Sequence, residues 1–101
     1  MPSRLELQTQ LENLLGSRNV YFQPPESLRM KYPAIVYTRD GINNAFAGDE
    51  PYVSRRRYSV TVIDEDPDSL IIDKINTLKN CQFNRHYTAD QLHHDVFTLF
   101  Y

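Results

Sequence analysis

The sequence predicts a single α+β domain spanning residues 1–101, with two helices packed on one face of a mainly antiparallel sheet. Three observations lead there. A chain of 101 residues has room for one hydrophobic core and not for two. Two segments repeat their apolar residues at helical spacing, and five others are short, β-branched or aromatic runs, several of them alternating. The segments follow one another in the order α-β-β-β-α-β-β, which suits helices gathered against a sheet of sequential strands. No internal repeat is visible.

The first helix is expected over residues 4–15. Ser3 and Glu6 form a capping box, and Leu7, Leu11, Leu14 and Leu15 recur at i, i+4, i+7 and i+8 along one face. Gly16 can stop it by taking positive φ. Residues 19–23, Asn-Val-Tyr-Phe-Gln, read as a brief strand ended by Pro24-Pro25, and residues 24–33 as a surface loop. Ala34 to Thr38 is almost continuously apolar, as in an interior strand covered on both faces. The following stretch, Arg39 to Pro51, has turn residues at both ends and little periodicity, so it reads as a long loop.

Tyr52 to Asp64 is the longest strand signal. Arg56, Tyr58, Val60 and Val62 share one face, while Arg57, Ser59, Thr61 and Ile63 share the other. A second helix is expected over residues 67–79, with Asp66 as its cap, Pro67 in its first turn and Ile71, Ile75 and Leu78 facing inward; Asn80 can close it. Residues 81–87 alternate, residues 88–92 turn the chain, and residues 93–101 alternate again, which describes a hairpin.

Composition narrows the function classes. With 41% hydrophobic and 24% charged residues and only three glycines, the chain can build a core and is no low-complexity scaffold. No run of about 18 apolar residues exists for a membrane span, so no membrane partner is expected. The opening Met1-Pro2-Ser3-Arg4 leads into an amphipathic pattern, not an apolar leader, so no secretory signal is expected. The lone Cys81 cannot form an internal disulfide, which fits a reducing compartment or simple indifference to redox. Glycines at 16, 41 and 48 cannot build a phosphate cradle. A net charge of −2 is no footprint for a dedicated nucleic-acid binder.

Two sets of side chains invite chemistry. Cys81 and His86 suggest a thiol and base, but five residues apart on one strand they differ in parity and should face opposite ways. His86, His93, His94 and Asp95 come from the two arms of the expected hairpin. His93 and Asp95 share a face, and a cross-strand His86 would complete three metal ligands; the same pattern suits ordinary cross-strand polar pairing. The acidic run Asp64, Glu65, Asp66 and Asp68 lacks the glycine and distal glutamate of a calcium loop. No catalytic residue, metal or cofactor is expected from these patterns, and the chain is not read as an enzyme.

Charge is distributed unevenly. Residues 1–57 carry eight Lys/Arg and six Asp/Glu, whereas residues 58–101 carry three and seven. The basic run Arg55-Arg56-Arg57 reads as a solvated strand end, as a weak phosphate-binding patch, or as one half of an interface whose other half is the acidic run Asp64, Glu65 and Asp66 of another copy, a head-to-tail contact of the kind that closes rings. Seven tyrosines and five phenylalanines exceed the comfortable capacity of so small a core, so some should anchor an interface.

Several segments resemble the small tail-completion proteins of long-tailed bacteriophages, in the tail-terminator or tail-to-head joining group. They are Tyr32-Pro33-Ala34-Ile35-Val36-Tyr37, Arg57-Tyr58-Ser59-Val60-Thr61-Val62-Ile63-Asp64 and Asp66-Pro67-Asp68-Ser69. The ending is similar too: Phe83, Arg85 and Tyr87, then Asp90, Leu92, His94, Phe97, Leu99 and Tyr101. The likeness runs over most of the chain but rests on packing patterns. It implies a structural virion protein, a homo-oligomeric ring usually of six copies, assembled in the host cytoplasm and sited at the tail–neck junction. Such a ring caps the tail tube protein, offers a docking face to a neck or head-completion protein, and leaves a bore through which DNA can pass. The resemblance also implies a long loop in contact with tube or neck. The segment with Asp40, Gly41, Ile42, Asn43, Asn44, Phe46, Asp49 and Glu50 matches that element. The alternatives are another neck component, such as a head-completion or stopper protein, and a small metal-dependent enzyme using His86, His93 and Asp95.

Overall fold

The computed structural model describes residues 4–25, 28–47 and 50–101, with side chains outside 43–47 and 50–55. Its elements are α1 (Arg4–Leu15), β1 (Val20–Phe22), β2 (Ala34–Ala47), β3 (Glu50–Asp64), α2 (Leu70–Asn76), β4 (Cys81–Ala89) and β5 (Leu92–Phe100). They build one five-stranded sheet in the order β1-β2-β3-β5-β4. Only β1 runs parallel to its neighbour; every other pairing is antiparallel. The α+β architecture and the element order are those expected.

Register assigns the faces, because directly opposed residues point the same way. Val20 lies opposite Ile35, Ile35 opposite Val62, and Val62 opposite Asp95. Tyr37, Val60 and Phe97 form a second such row, and Tyr58 and Leu99 belong to a third. All of these except Asp95 join Leu7 and Leu11 of α1 and Ile75 of α2 in one buried cluster. Both helices therefore cover this face. Burying nine large side chains almost completely supplies the main driving force, at about 1.5–3 kcal/mol for each fully buried aliphatic or aromatic group. Val36 and Thr38 point to the other face and are only half-buried, so the apolar run at 34–38 is interior within the sheet but not fully covered on both faces.

A polar tie runs through the core. The hydroxyl of buried Tyr37 donates to Gln8 Oε1 and accepts from Arg4 Nη1 at 3.3 Å, while Gln8 Nε2 donates to the Val20 carbonyl at 3.0 Å. Burial raises the Tyr37 phenol above its usual 10.0, against the opposing pull of the Arg4 guanidinium. α1 ends as expected, with Gly16 at φ 81° donating to the Glu12 carbonyl at 2.9 Å. Ser3 of the expected capping box lies outside the described residues.

Three expectations are corrected. The second helix is shorter than 67–79, and its cap is Ser69, whose hydroxyl accepts from Ile71 N at 3.4 Å. Asp66 instead accepts from Asp68 N at 2.9 Å, a local turn that competes with capping. The stretch from Arg39 to Pro51 is not a long loop. Asp40, Gly41, Ile42, Asn43, Asn44 and Phe46 lie within β2, and Glu50 begins β3; Gly48 and Asp49 lie outside the described residues. Pairing continues from Gly41↔Arg57 to Ala47↔Glu50. Finally, a register shift between Phe83 and Arg85 inserts Asn84 as an extra residue in β4. That irregularity reverses the alternation beyond it. Cys81 lies opposite Leu99 and His86 opposite Asp95, so both sit on the helix-covered face, contrary to the parity expected from an unbroken strand.

Candidate functional site

Two places could carry function: the histidine cluster on the β4–β5 hairpin, and the long β2–β3 hairpin with its charged ends. The cluster follows from a tight turn. Asp90 and Gln91 both take positive φ, 52° and 64°, the backbone of a two-residue hairpin turn. The turn sets His86 opposite Asp95 and Thr88 opposite His93.

His86 Nδ1 and Asp95 Oδ1 are 2.8 Å apart, with Asp95 buried at 6% exposure and His86 half-exposed. The His93 ring stacks on His86 at 5.5 Å between centroids and 26° between planes. Stacked imidazoles carry their nitrogens in near-parallel planes and do not converge on one ion. Among the described residues, no group of three His, Cys, Asp or Glu is placed to hold a metal. His93 Nδ1 is buried without a hydrogen-bond partner among the described residues.

His94 points to the opposite face. Its Nδ1 lies 3.2 Å from the Leu92 carbonyl, and its ring stacks on Tyr87 at 4.6 Å and 11°, with the Arg85 guanidinium 5.1 Å from the Tyr87 ring centre. The same two-residue turn sets Tyr87 opposite His94, with Arg85 two residues along the same face. Cys81 shares a face with His86, but their partners on β5 are four residues apart, about 13 Å along a strand. Burial also pushes the Cys81 thiol upward, away from the thiolate a nucleophile needs. A groove of about 210 Å³ lies between Gln10, residues 78–80 and residues 99–101, below the ~300 Å³ at which small-ligand pockets begin.

The β2–β3 hairpin is the more unusual feature. β1 flanks β2 only at residues 35–37 and β5 flanks β3 only over 57–64, with Tyr101 adding backbone bonds to Arg56 at 3.0 and 3.2 Å. Beyond these points the Arg39 amide donates to Gln23 Oε1 at 3.4 Å, and no further strand pairs with either of the two among the described residues. The molecule measures 49 × 23 × 23 Å with a radius of gyration of 14.5 Å, above the ~13 Å of a compact chain this long. The excess follows from a ribbon running past the sheet.

The root of the ribbon is clamped. Asp40 occupies the register shift between Arg39 and Gly41. Its carboxylate accepts from Arg57 Nε at 2.8 Å and its carbonyl from Arg57 Nη2 at 3.1 Å. Gly41 leaves room for this, since a Cβ there would stand 3.0 Å from Arg57 Nη2.

Of the basic run, Arg57 is thus engaged inside its own chain, Arg56 also has a partner, and the Arg55 side chain lies outside the described residues. In the acidic run, Asp64 Oδ1 accepts from Asp66 N at 3.1 Å, shaping the approach to α2, and Glu65 and Asp66 are exposed. Arg57 and Asp64 sit at opposite ends of the paired part of β3, about 23 Å apart. The two runs therefore cannot meet within one chain. Among the described residues no helix is long and apolar enough to cross a membrane. No family model matches the chain, and no curated protein matches it.

Proposed function

We propose that the chain is a structural assembly protein of the phage tail-terminator kind: a ring subunit that caps the tail tube and presents a docking face for the neck. The observation that carries this reading is the β2–β3 ribbon, which runs past the sheet with no strand on either flank among the described residues. A two-stranded ribbon alone in water is marginally stable, so a domain that projects one gains most by docking it. The opposed charges at the two ends of the part of β3 that pairs with β5, Arg57 and Asp64, support head-to-tail packing, because such contacts join different surfaces of successive copies. In that packing Arg55 and Arg56, with Arg57 sharing its bond to Asp40, face Asp64, Glu65 and Asp66 of the next subunit.

The test is the light-scattering mass of the purified chain, alone and with tail tubes from its own phage. A ring-sized mass, or rings seated on tube ends, is expected. A chain that ignores tubes but binds portal-bearing heads overturns the terminator role in favour of another neck component. Reversing the basic and acidic runs separately should each weaken assembly, and reversing both should restore it. Failure of the double reversal to rescue would sink the charge pairing.

A further inference from the structure

Two features at opposite ends of the domain fit each other. The groove of about 210 Å³ beside Tyr101 is lined by Leu78, Leu99, Phe100 and Tyr101, with Gln10 and Lys79 exposed at its rim. It is small for a ligand pocket but has room for one aliphatic side chain. Leu70 is such a side chain. At 73% exposure it is the most exposed large hydrophobic among the described residues. It opens α2 directly after Ser69, which is buried and caps the helix, so its backbone is already fixed and little order is lost when it docks.

Leu70 cannot fill the groove of its own chain. It stands at the first position of a seven-residue helix and the groove lies beyond the last, about 10 Å of helix away. The strands show the same separation. The groove is at the Phe100 end of β5, where Arg57 lies opposite, whereas the chain leading to Leu70 leaves the sheet at Asp64, opposite His93.

Charge follows the same division. Asp64, Glu65, Asp66 and Asp68 precede Leu70, and no Lys or Arg occurs between Arg57 and Lys74. The groove's end carries Arg56, Arg57 and Lys79. Asp40 holds Arg57 and Glu6 acts on Tyr101, so three cations face two carboxylates there. Lys79 is exposed and forms no ion pair among the described residues.

We propose that Leu70 of one copy seats in this groove of the next copy, with Asp68 beside Lys79. The proposal rests on the ring-subunit reading and names the anchor and the socket of its head-to-tail contact, which joins two different surfaces and so repeats from copy to copy.

The experiment follows mass by light scattering over a concentration series, in solution and on tail tubes, for the full chain and for variants at exposed sites. Leu70→Ala removes the anchor, and Gln10→Trp fills the groove from its rim. Each is expected to keep the circular dichroism spectrum of the wild type and to weaken association about ten- to thirtyfold. Mixed together they should pair, since one supplies an open groove and the other a leucine, and growth should stop at two copies. Lys79→Glu and Asp68→Lys should each weaken association about threefold and in combination recover it. Wild-type assembly by Leu70→Ala and Gln10→Trp overturns the socket and leaves the ring reading standing. A mixture that forms no pair, or charge reversals that do not rescue each other, overturns it too. A chain that stays monomeric at every concentration and is absent from tubes overturns both.

Discussion

Tyr37→Phe removes one oxygen from the centre of the fold and nothing else. Tyr37 is fully buried, its ring lies 5.0 Å from Phe22 and 5.9 Å from Tyr58, and its hydroxyl joins Gln8 and Arg4 of α1 to the second strand. The phenylalanine ring fills the same space, so no cavity arises. The loss is one net hydrogen bond, about 1 kcal/mol, plus part of the cost of leaving Gln8 Oε1 without its donor; Arg4, at the end of α1, can turn to water. The sum is about 1–2 kcal/mol, which in a domain of this size lowers Tm by roughly 5–15 °C. The phenol also predicts an alkaline limb. Because burial raises its pKa in the folded state, the folded chain holds that proton more tightly than the unfolded one. This contribution is complete below the usual 10.0 and is lost as pH rises through the folded value. Thermal melts from pH 7 to 11 on both proteins test the argument. The wild type should lose stability above about pH 10, and Tyr37→Phe should flatten that fall, leaving a remainder from Tyr101, which is raised by burial and by Glu6 and Tyr58. A variant as stable as wild type, or an unchanged alkaline limb, would refute the tie.

Ser69→Ala should cost about 1 kcal/mol in urea unfolding, while Asp66→Ala stays within about 0.5 kcal/mol, since Ser69 and not Asp66 caps α2. Cys81 should react with a thiol reagent at pH 8 more slowly in the folded chain than in the urea-unfolded one, because burial raises its pKa; equal rates would contradict that burial. Asp40→Ala breaks an ion pair whose partners are 47% and 46% exposed, so global stability should fall by less than about 1 kcal/mol. Hydrogen exchange should quicken at the ribbon root if the clamp holds the ribbon, and unchanged exchange there would show that it does not.

Much of the fold was legible because it obeys short-range rules. The leucine spacing of α1, the stop at Gly16, the alternation of β3 from Arg56 to Ile63 and the two arms of the β4–β5 hairpin are each local signals, and each appears where expected. The pairing of His86 with Asp95 was likewise readable from the hairpin, although stacking of His93 on His86 and not convergence with it could not be read from spacing. The ribbon was not readable. Asp40, Gly41, Asn43 and Asn44 are turn formers by propensity, and pairing with a facing strand overrides weak propensity where the backbone partners are present.

The amino-acid order by itself determined the order of helices and strands and most of the side chains that form the core, because apolar periodicity is a property of neighbouring residues. Tertiary structure decided the phase of β4 after Asn84, the length of the β2–β3 hairpin and the capture of Arg57 by Asp40. Each of these depends on the register between strands distant in sequence. One extra residue turns every later side chain to the other face, and no local pattern announces it.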